Sequence, residues 1–278
     1  MPFVGFLIWI VSTLVGLALL LFLIYLLVLI HPCRKTKPEE VLLCDYAHRG
    51  LHGRGIPENS LAAFEAACAA GYGIELDVQL SRDGVVMAFH DYTLTRMTGR
   101  EQKLCELSCE ELTAISLADS DQKIPTFAQV LELVDGRVPL LIELKGEDRD
   151  TSLCQKVAKC LAGYTGAYCL ESFNPLLIGE IEKFLPTVPR GLLYTNVCRE
   201  KKKYSILNLA LTAMALNVLA RPDFIAYNQY DRNSLPVKIA TRLYRTPKFV
   251  WTVKSAEARE EAHRLGECPI FEGIFEDE

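Results

Sequence analysis

Hydrophobic and polar positions follow two rhythms along most of this chain, and one segment follows neither. From residue 3 to residue 30 there is no charged residue, and Ser12 and Thr13 are the clearly polar positions. At about 1.5 Å per residue, a helix over this run exceeds the roughly 30 Å that a hydrocarbon core requires. A cleavable signal sequence is the competing reading. Its apolar region is usually about 7–15 residues long, after a basic stretch and before small residues. Here the run is longer, begins without basic residues and ends in His31, Pro32 and Cys33. The pattern therefore predicts a transmembrane anchor over residues 1–30. Residues 31–40, with two prolines, read as a short polar linker, and residues 41–278 as one folded domain.

Beyond the linker the rhythm changes. Short runs rich in β-formers lie at residues 42–47, 74–80, 85–90, 139–143, 167–171, 191–194, 224–227, 249–253 and 272–275. Between them, helical periodicity covers 60–70, 126–134, 151–161, 175–184, 204–219, 235–243 and 256–265. The first of these helices takes its cap from Asn59 or Ser60 and stops at Gly71. Such alternation predicts βα units around a mainly parallel sheet. Nine runs are one too many for an eight-stranded barrel. The turn at 81–84 is also too short for a crossover helix, so a strand beside it must be irregular. Within the α/β class, a (β/α)8 TIM-type barrel fits best, since about 250 residues is usual for that fold. An open doubly wound sheet is the alternative, but no G-x-G-x-x-G follows the first run.

Composition narrows the function. The chain is 50% hydrophobic and 23% charged, which excludes disorder and a small disulfide scaffold. Lys plus Arg is 30 against 35 Asp plus Glu, a net charge of −5, so no nucleic-acid partner is expected. The ten cysteines lack paired or zinc-type spacing. The mean hydropathy of +0.15 owes most of its excess to the N-terminal run. Arg34, Lys35 and Lys37 follow that run, while only the start amine precedes it. The positive-inside bias then places the large C-terminal part in the cytoplasm.

Ionisable residues fall at strand ends. His48 and Arg49 follow the first run, Glu75 and Asp77 lie on the second, His90 and Asp91 end the third, and Glu143 and Lys145 close the fourth. Each i, i+2 pair points to one face of its strand, and the carboxyl ends of barrel strands converge on one mouth. Three carboxylates from two strands could bind a hard divalent cation through oxygen. Two histidines could supply acid and base, and Arg49 and Lys145 could grip a phosphate. Taken singly, each has a bland alternative, such as an edge glutamate or a structural Glu143–Lys145 pair; the coincidence of all of them carries the argument.

The stretches A-H-R-G (47–50), P-E-N-S (57–60), I-E-L-D-V (74–78), D-G-V-V-M-A-F-H-D (83–91) and I-E-L-K (142–145) closely resemble the glycerophosphodiester phosphodiesterase family. Further matches are Ile124-Pro125-Thr126, Ser172-Phe173-Asn174 and Trp251-Thr252-Val253, so the resemblance spans about residues 44–277. It implies a TIM-type barrel of the phospholipase C-like kind that hydrolyses glycerophosphodiesters with one divalent cation, Mg2+ or Ca2+. Glu75, Asp77 and Glu143 match the metal ligands, and His48 and His90 the catalytic histidines. Arg49 and Lys145 match the phosphate-contacting cations, and Trp251 an aromatic wall beside the substrate. His90 is expected to be the acid and His48 the base or nucleophile. Glu58 and Asn59 read as support for the first loop.

Departures are peripheral: Ser60 replaces the commoner Thr, Lys254 a common Asn, and E-G-I-F-E-D (272–277) the usual D-G-I-I-T-D. A catalytically inactive, membrane-tethered barrel is the alternative of another class, but none of the seven metal, histidine and cation positions is lost. An anchor and a short linker point to a bilayer partner, and to a lysophospholipid as an alternative substrate. The Lys201–Lys203 cluster before the apolar segment 206–219 reads first as an outer barrel helix with a solvated cap, and in the alternative as an interfacial helix at anionic headgroups.

Overall fold

A computed structural model describes residues 2–32, 36–146 and 149–273. Arg34 and Lys35, and the end of the run expected at 272–275, lie outside the described residues. Strands β1 (Tyr46–Ala47), β2 (Gly73–Leu80), β4 (Leu140–Leu144), β5 (Tyr168–Ser172), β6 (Arg190–Tyr194), β7 (Phe224–Asn228), β8 (Lys248–Val253) and β9 (Cys268–Phe271) pair in parallel. Because β1 pairs with both β2 and β9, these eight close into a barrel.

The surplus strand is β3 (Val86–Ala88), which pairs antiparallel with β2 through the tight turn at 81–84 and stays outside the closed ring. The first strand is shorter than expected, because Glu40–Leu42 forms a 3-10 turn. The last lies at 268–271 rather than 272–275, which puts Glu272 just beyond its carboxyl end.

Alternation builds the core. On β4, Leu140, Ile142 and Leu144 face the surrounding helices, while Leu141 points inward with Cys169, Leu193, Phe224 and Phe249. This inner layer plugs the barrel, so side chains above it stand at the mouth. Helix Leu61–Ala70 is capped by Ser60, whose hydroxyl accepts from Ala63 N, and stops at Gly71. Helix Phe127–Val134 opens with the reciprocal Thr126–Gln129 capping box.

The helix expected at 204–219 is broken into Ile206–Thr212 and Asn217–Ala220. Residues 89–124 contribute a satellite core of Phe89, Leu94, Leu104, Leu112, Leu117 and Ile124. Its helices, Thr95–Thr98 and Cys109–Thr113, are too short to show a helical period in sequence.

The N-terminal helix Pro2–Ile24 carries no charge and leaves the barrel. Its continuation, Tyr25–Leu29, is held against the barrel flank. Tyr25 Oη donates to Ala213 O (2.9 Å), Asn217 Nδ2 to Ile30 O (3.0 Å) and Tyr244 Oη to Leu26 O (2.5 Å). Ile30 is fully buried in the main core.

Candidate active site

Four acidic side chains form the floor of the mouth. Glu75 and Asp77 are two residues apart on β2; Asp77 pairs in register with Glu143 on β4, and Glu143 with Glu171 on β5. One oxygen from each of Glu75, Asp77 and Glu143 lies within 4.8 Å of the others. Lys145, just past β4, reaches back so that Nζ is 3.0 Å from Glu143 Oε1 and 3.3 Å from Asp77 Oδ1. Both i, i+2 pairs therefore converge, as period two requires.

The loop after β1 carries His48 and Arg49 over this floor. Arg49 adopts a positive φ of 55°, and its N–H donates to Glu75 Oε2 (2.8 Å). Its guanidinium reaches Glu58 Oε1 (2.7 Å) and comes to 3.5 Å from Asp77 Oδ2. Asn59, with φ 52°, uses its amide to donate to Asp77 Oδ2 (2.9 Å) and accept from Asp77 N. Asn59 thus orients a floor carboxylate, and Ser60 alone caps the helix. Gly50, with φ 79°, lies where a Cβ would meet the Ala63 backbone at 2.8 Å, so the helix packs directly on the loop.

The two histidines are held by different acids. His48 Nδ1 is 3.1 Å from Glu272 Oε2, and its Nε2 is 3.9 Å from Glu75 Oε2. His90 Nδ1 is 2.6 Å from Asp91 Oδ1. Asp91 Oδ2 accepts from Arg96 Nε (2.6 Å), and Arg96 forks onto both oxygens of Glu58 (2.6 and 2.9 Å). Glu58 also receives Arg49, so one charged chain links the two histidine-bearing loops. The cleft is lined by His48, Arg49, Glu75, His90, Glu143 and Glu171, with Phe173 and Trp251 as its apolar wall. These two rings meet edge to face, and Trp251 Nε1 donates to Ala226 O.

Electrostatics mark the floor as a site short of positive charge. Burial, reinforced by Asp77 and Glu143, drives the Glu75 carboxyl well above its ordinary range. Burial raises Glu143 to about 7 against the pull of Lys145. Burial and Glu143 raise Glu171, whose Oε2 has no hydrogen-bond partner among the described residues. Burial acts on Asp77 too, but Lys145, His90 and Arg49 outweigh it and keep it ionised. Burial lowers both histidines, with Glu272 opposing at His48 and Asp77 opposing at His90. The His48 contact brings Glu272 down to about 2. An all-oxygen donor set with surplus buried carboxylate fits a hard divalent cation.

Residues 48–278 match the model of the glycerophosphoryl diester phosphodiesterase family. The chain belongs to that family. A glycerophosphodiester phosphodiesterase of Caldanaerobacter subterraneus is 33% identical over 159 residues, 53% of this chain and 65% of the relative. Human glycerophosphodiester phosphodiesterase 1 is 34% identical over 110 residues, 36% of this chain and 33% of the relative. The chain thus spans just under two thirds of the bacterial relative and a third of the human one. Among solved structures, an Oleispira antarctica phosphodiesterase in complex with the product sn-glycerol-3-phosphate superposes with a TM-score of 0.69. It shares 21% identity and is matched over 82% of this chain and 92% of its own. A glycerophosphodiester phosphodiesterase from Thermotoga maritima gives 0.63 at 26% identity, over 82% and 94%.

All eight residues singled out from the sequence meet in this family member's cleft or its floor: His48, His90, Arg49, Lys145, Trp251, Glu75, Asp77 and Glu143. Sequence reasoning missed Glu171 and Arg96. Glu171 was legible in principle, as a charged residue inside an otherwise apolar strand. Arg96 had no signal, because its partner Glu58 lies 38 residues away. His52 lies beside His48 and Glu272, whereas His263 pairs with Asp45 far from the cleft and His31 packs on Tyr244.

Proposed function

We propose that this chain hydrolyses glycerophosphodiesters to glycerol phosphate and an alcohol, using His48 and His90 as the catalytic pair over a metal floor of Glu75, Asp77 and Glu143. The observation that carries the reading is the convergence of two acid-held histidines and two cations on one buried carboxylate cluster. A divalent cation there, Mg2+ or Ca2+, would neutralise substrate phosphate and act as a Lewis acid.

The protein's own residues do the rest. Arg49 and Lys145 oppose the phosphate charge, and their ion pairs fix their positions before substrate arrives. His48, kept neutral by burial, either takes the proton of the attacking water and becomes an imidazolium that Glu272 stabilises, or attacks the phosphorus as the alkoxide leaves and is released by water in a second step. In both cases Glu272 orients its ring. His90 delivers a proton to the leaving alkoxide; burial lowers its pKa, and Asp77 and the Asp91 contact at Nδ1 work against that loss in favour of the protonated ring. Phe173 and Trp251 form the wall against which the organic part of the substrate packs. The product sn-glycerol-3-phosphate in the Oleispira structure is the product expected here.

A second reading, cleavage of lysophospholipids in the manner of a lysophospholipase D, is favoured by the exposed apolar helix Pro2–Ile24, which we read as a single-pass anchor with the barrel on the cytoplasmic side. An inactive binding barrel is disfavoured by the complete, converged residue set. The test is release of choline from glycerophosphocholine and from lysophosphatidylcholine, with Mg2+, with Ca2+ and with EDTA. Metal-dependent release from either substrate supports the reading, and no release from both refutes it.

A further inference from the structure

The course of the N-terminal segment along the barrel sets the direction in which its apolar helix points. In a (β/α)8 barrel the strands run toward the mouth, and each connection after them runs back to the opposite end. In the connection between β6 and β7, Thr212 O accepts from Tyr194 Oη at the mouth end of β6, whereas Asp223 N donates to Arg190 O at its opposite end, so the stretch from Ala213 through Asn217 to Asp223 descends. The N-terminal segment contacts it in the same order: Tyr25 on Ala213, Ile30 on Asn217, and Thr36 N on Asp223 Oδ1 at 3.1 Å. Tyr25, Ile30 and Thr36 therefore stand at successively greater distances from the mouth. The 23-residue helix before them, about 35 Å long, rises past the level of the mouth on this flank.

The rim above that flank is apolar and unpartnered among the described residues. Tyr204 and Ile206, which follow β6, are 79% and 90% exposed; Tyr230 and Leu235, which follow β7, are 79% and 64% exposed. Exposed Lys201, Lys202 and Lys203 stand directly beside them. Large apolar side chains bordered by cations suit the boundary between acyl chains and anionic headgroups.

We infer that this rim rests on the bilayer crossed by the N-terminal helix, so that the cleft opens toward the membrane surface. The surface deepens the reading of Pro2–Ile24 as an anchor. It is independent of whether the site turns over.

Photo-crosslinking from the full-length chain in phosphatidylcholine–phosphatidylserine vesicles tests the orientation. A benzophenone amino acid is placed at position 206 or 230 on the rim, and at 43 or 265 at the opposite barrel end. Lipid adducts are expected at 206 and 230, at yields about tenfold or more above those at 43 and 265. Equal yields at the four positions, or higher yields at 43 and 265, would overturn the inference. In a second arm, the variant I206S/Y230S should hydrolyse soluble glycerophosphocholine normally. It should lose about fivefold or more on lysophosphatidylcholine held in vesicles, and an unchanged ratio between the two substrates would count against the inference. Rim adducts on a chain that hydrolyses neither substrate would uphold the orientation and refute only the catalytic reading.

Discussion

His48 and His90 are each gripped at Nδ1, by Glu272 and by Asp91, which leaves Nε2 for the proton transfer proposed above. Replacing either ring with Ala should lower turnover by about a hundredfold or more, the usual scale of general acid–base catalysis. Both side chains lie at the cleft, so melting temperatures should move little; near-normal turnover in both variants would refute the assignment. Glu171 presents the opposite case. It is buried, raised in pKa and lacks a partner for Oε2 among the described residues. Glu171→Gln should stabilise the metal-free protein and weaken its divalent-cation affinity, read by thermal melts and by calorimetric titration. No change in either would make Glu171 a bystander.

Elements couple through the Arg49–Glu58–Arg96–Asp91 chain, which joins the loop after β1 to the excursion after β3. Arg96 is half-exposed, so its ion pairs contribute little to global stability. Its value lies in positioning. Arg96→Ala should lower kcat about tenfold with a small change in melting temperature, and a loss of stability without loss of kcat would show a structural role instead. Gly50 makes the complementary case, because a side chain there would strain a positive φ and strike the helix Leu61–Ala70. Gly50→Ala should cost about 2 kcal/mol or more in a denaturant titration.

For the whole molecule, the acidic floor links metal, pH and folding. Glu75, Glu143 and Glu171 have raised pKa values in the folded chain, so the native state holds more protons than the unfolded one above about pH 4.5. Their contribution to stability therefore falls as pH rises toward the value of about 7 at Glu143. The lowered His48 and His90 act in the reverse direction below about pH 6.5, because the unfolded chain then binds the extra protons. Comparing melts with and without metal at each pH separates the carboxylates from the histidines. The rise in melting temperature with excess Ca2+ or Mg2+ should be small at pH 5.5 and larger at pH 7.5. Glu143→Gln should flatten that trend, whereas an increment equal at all pH values would place the cation elsewhere. The anchor is testable on the same scale. Because Ile30 is buried in the main core and Tyr25 is bonded to Ala213 on the barrel flank, a cut before Tyr25 removes the apolar helix and spares the docked segment. That truncation should keep glycerophosphocholine hydrolysis and release the protein from membranes; equal membrane retention would show that the rim alone suffices.

Much of this protein was determined by local sequence. The charge-free run of 3–30, the alternation of β-rich and helical periods, and the carboxylates two apart on a strand are short-range patterns that the backbone converts directly into elements and faces. Ser60 and Thr126 are legible for the same reason, since a cap reaches only three residues ahead. Tertiary structure decided whatever depends on distant partners. Closure through β1 and β9 joins Tyr46 to Ile270 and leaves β3 outside the ring. Parallel register brings Glu171 beside Glu143, and chain closure sets Glu272 against His48. The docking of Tyr25 and Ile30 on the β6–β7 connection, from which the direction of the apolar helix is inferred, rests on contacts 188 and 187 residues apart in sequence. Local propensity carries no information across such separations; packing and burial in the closed barrel select those pairings.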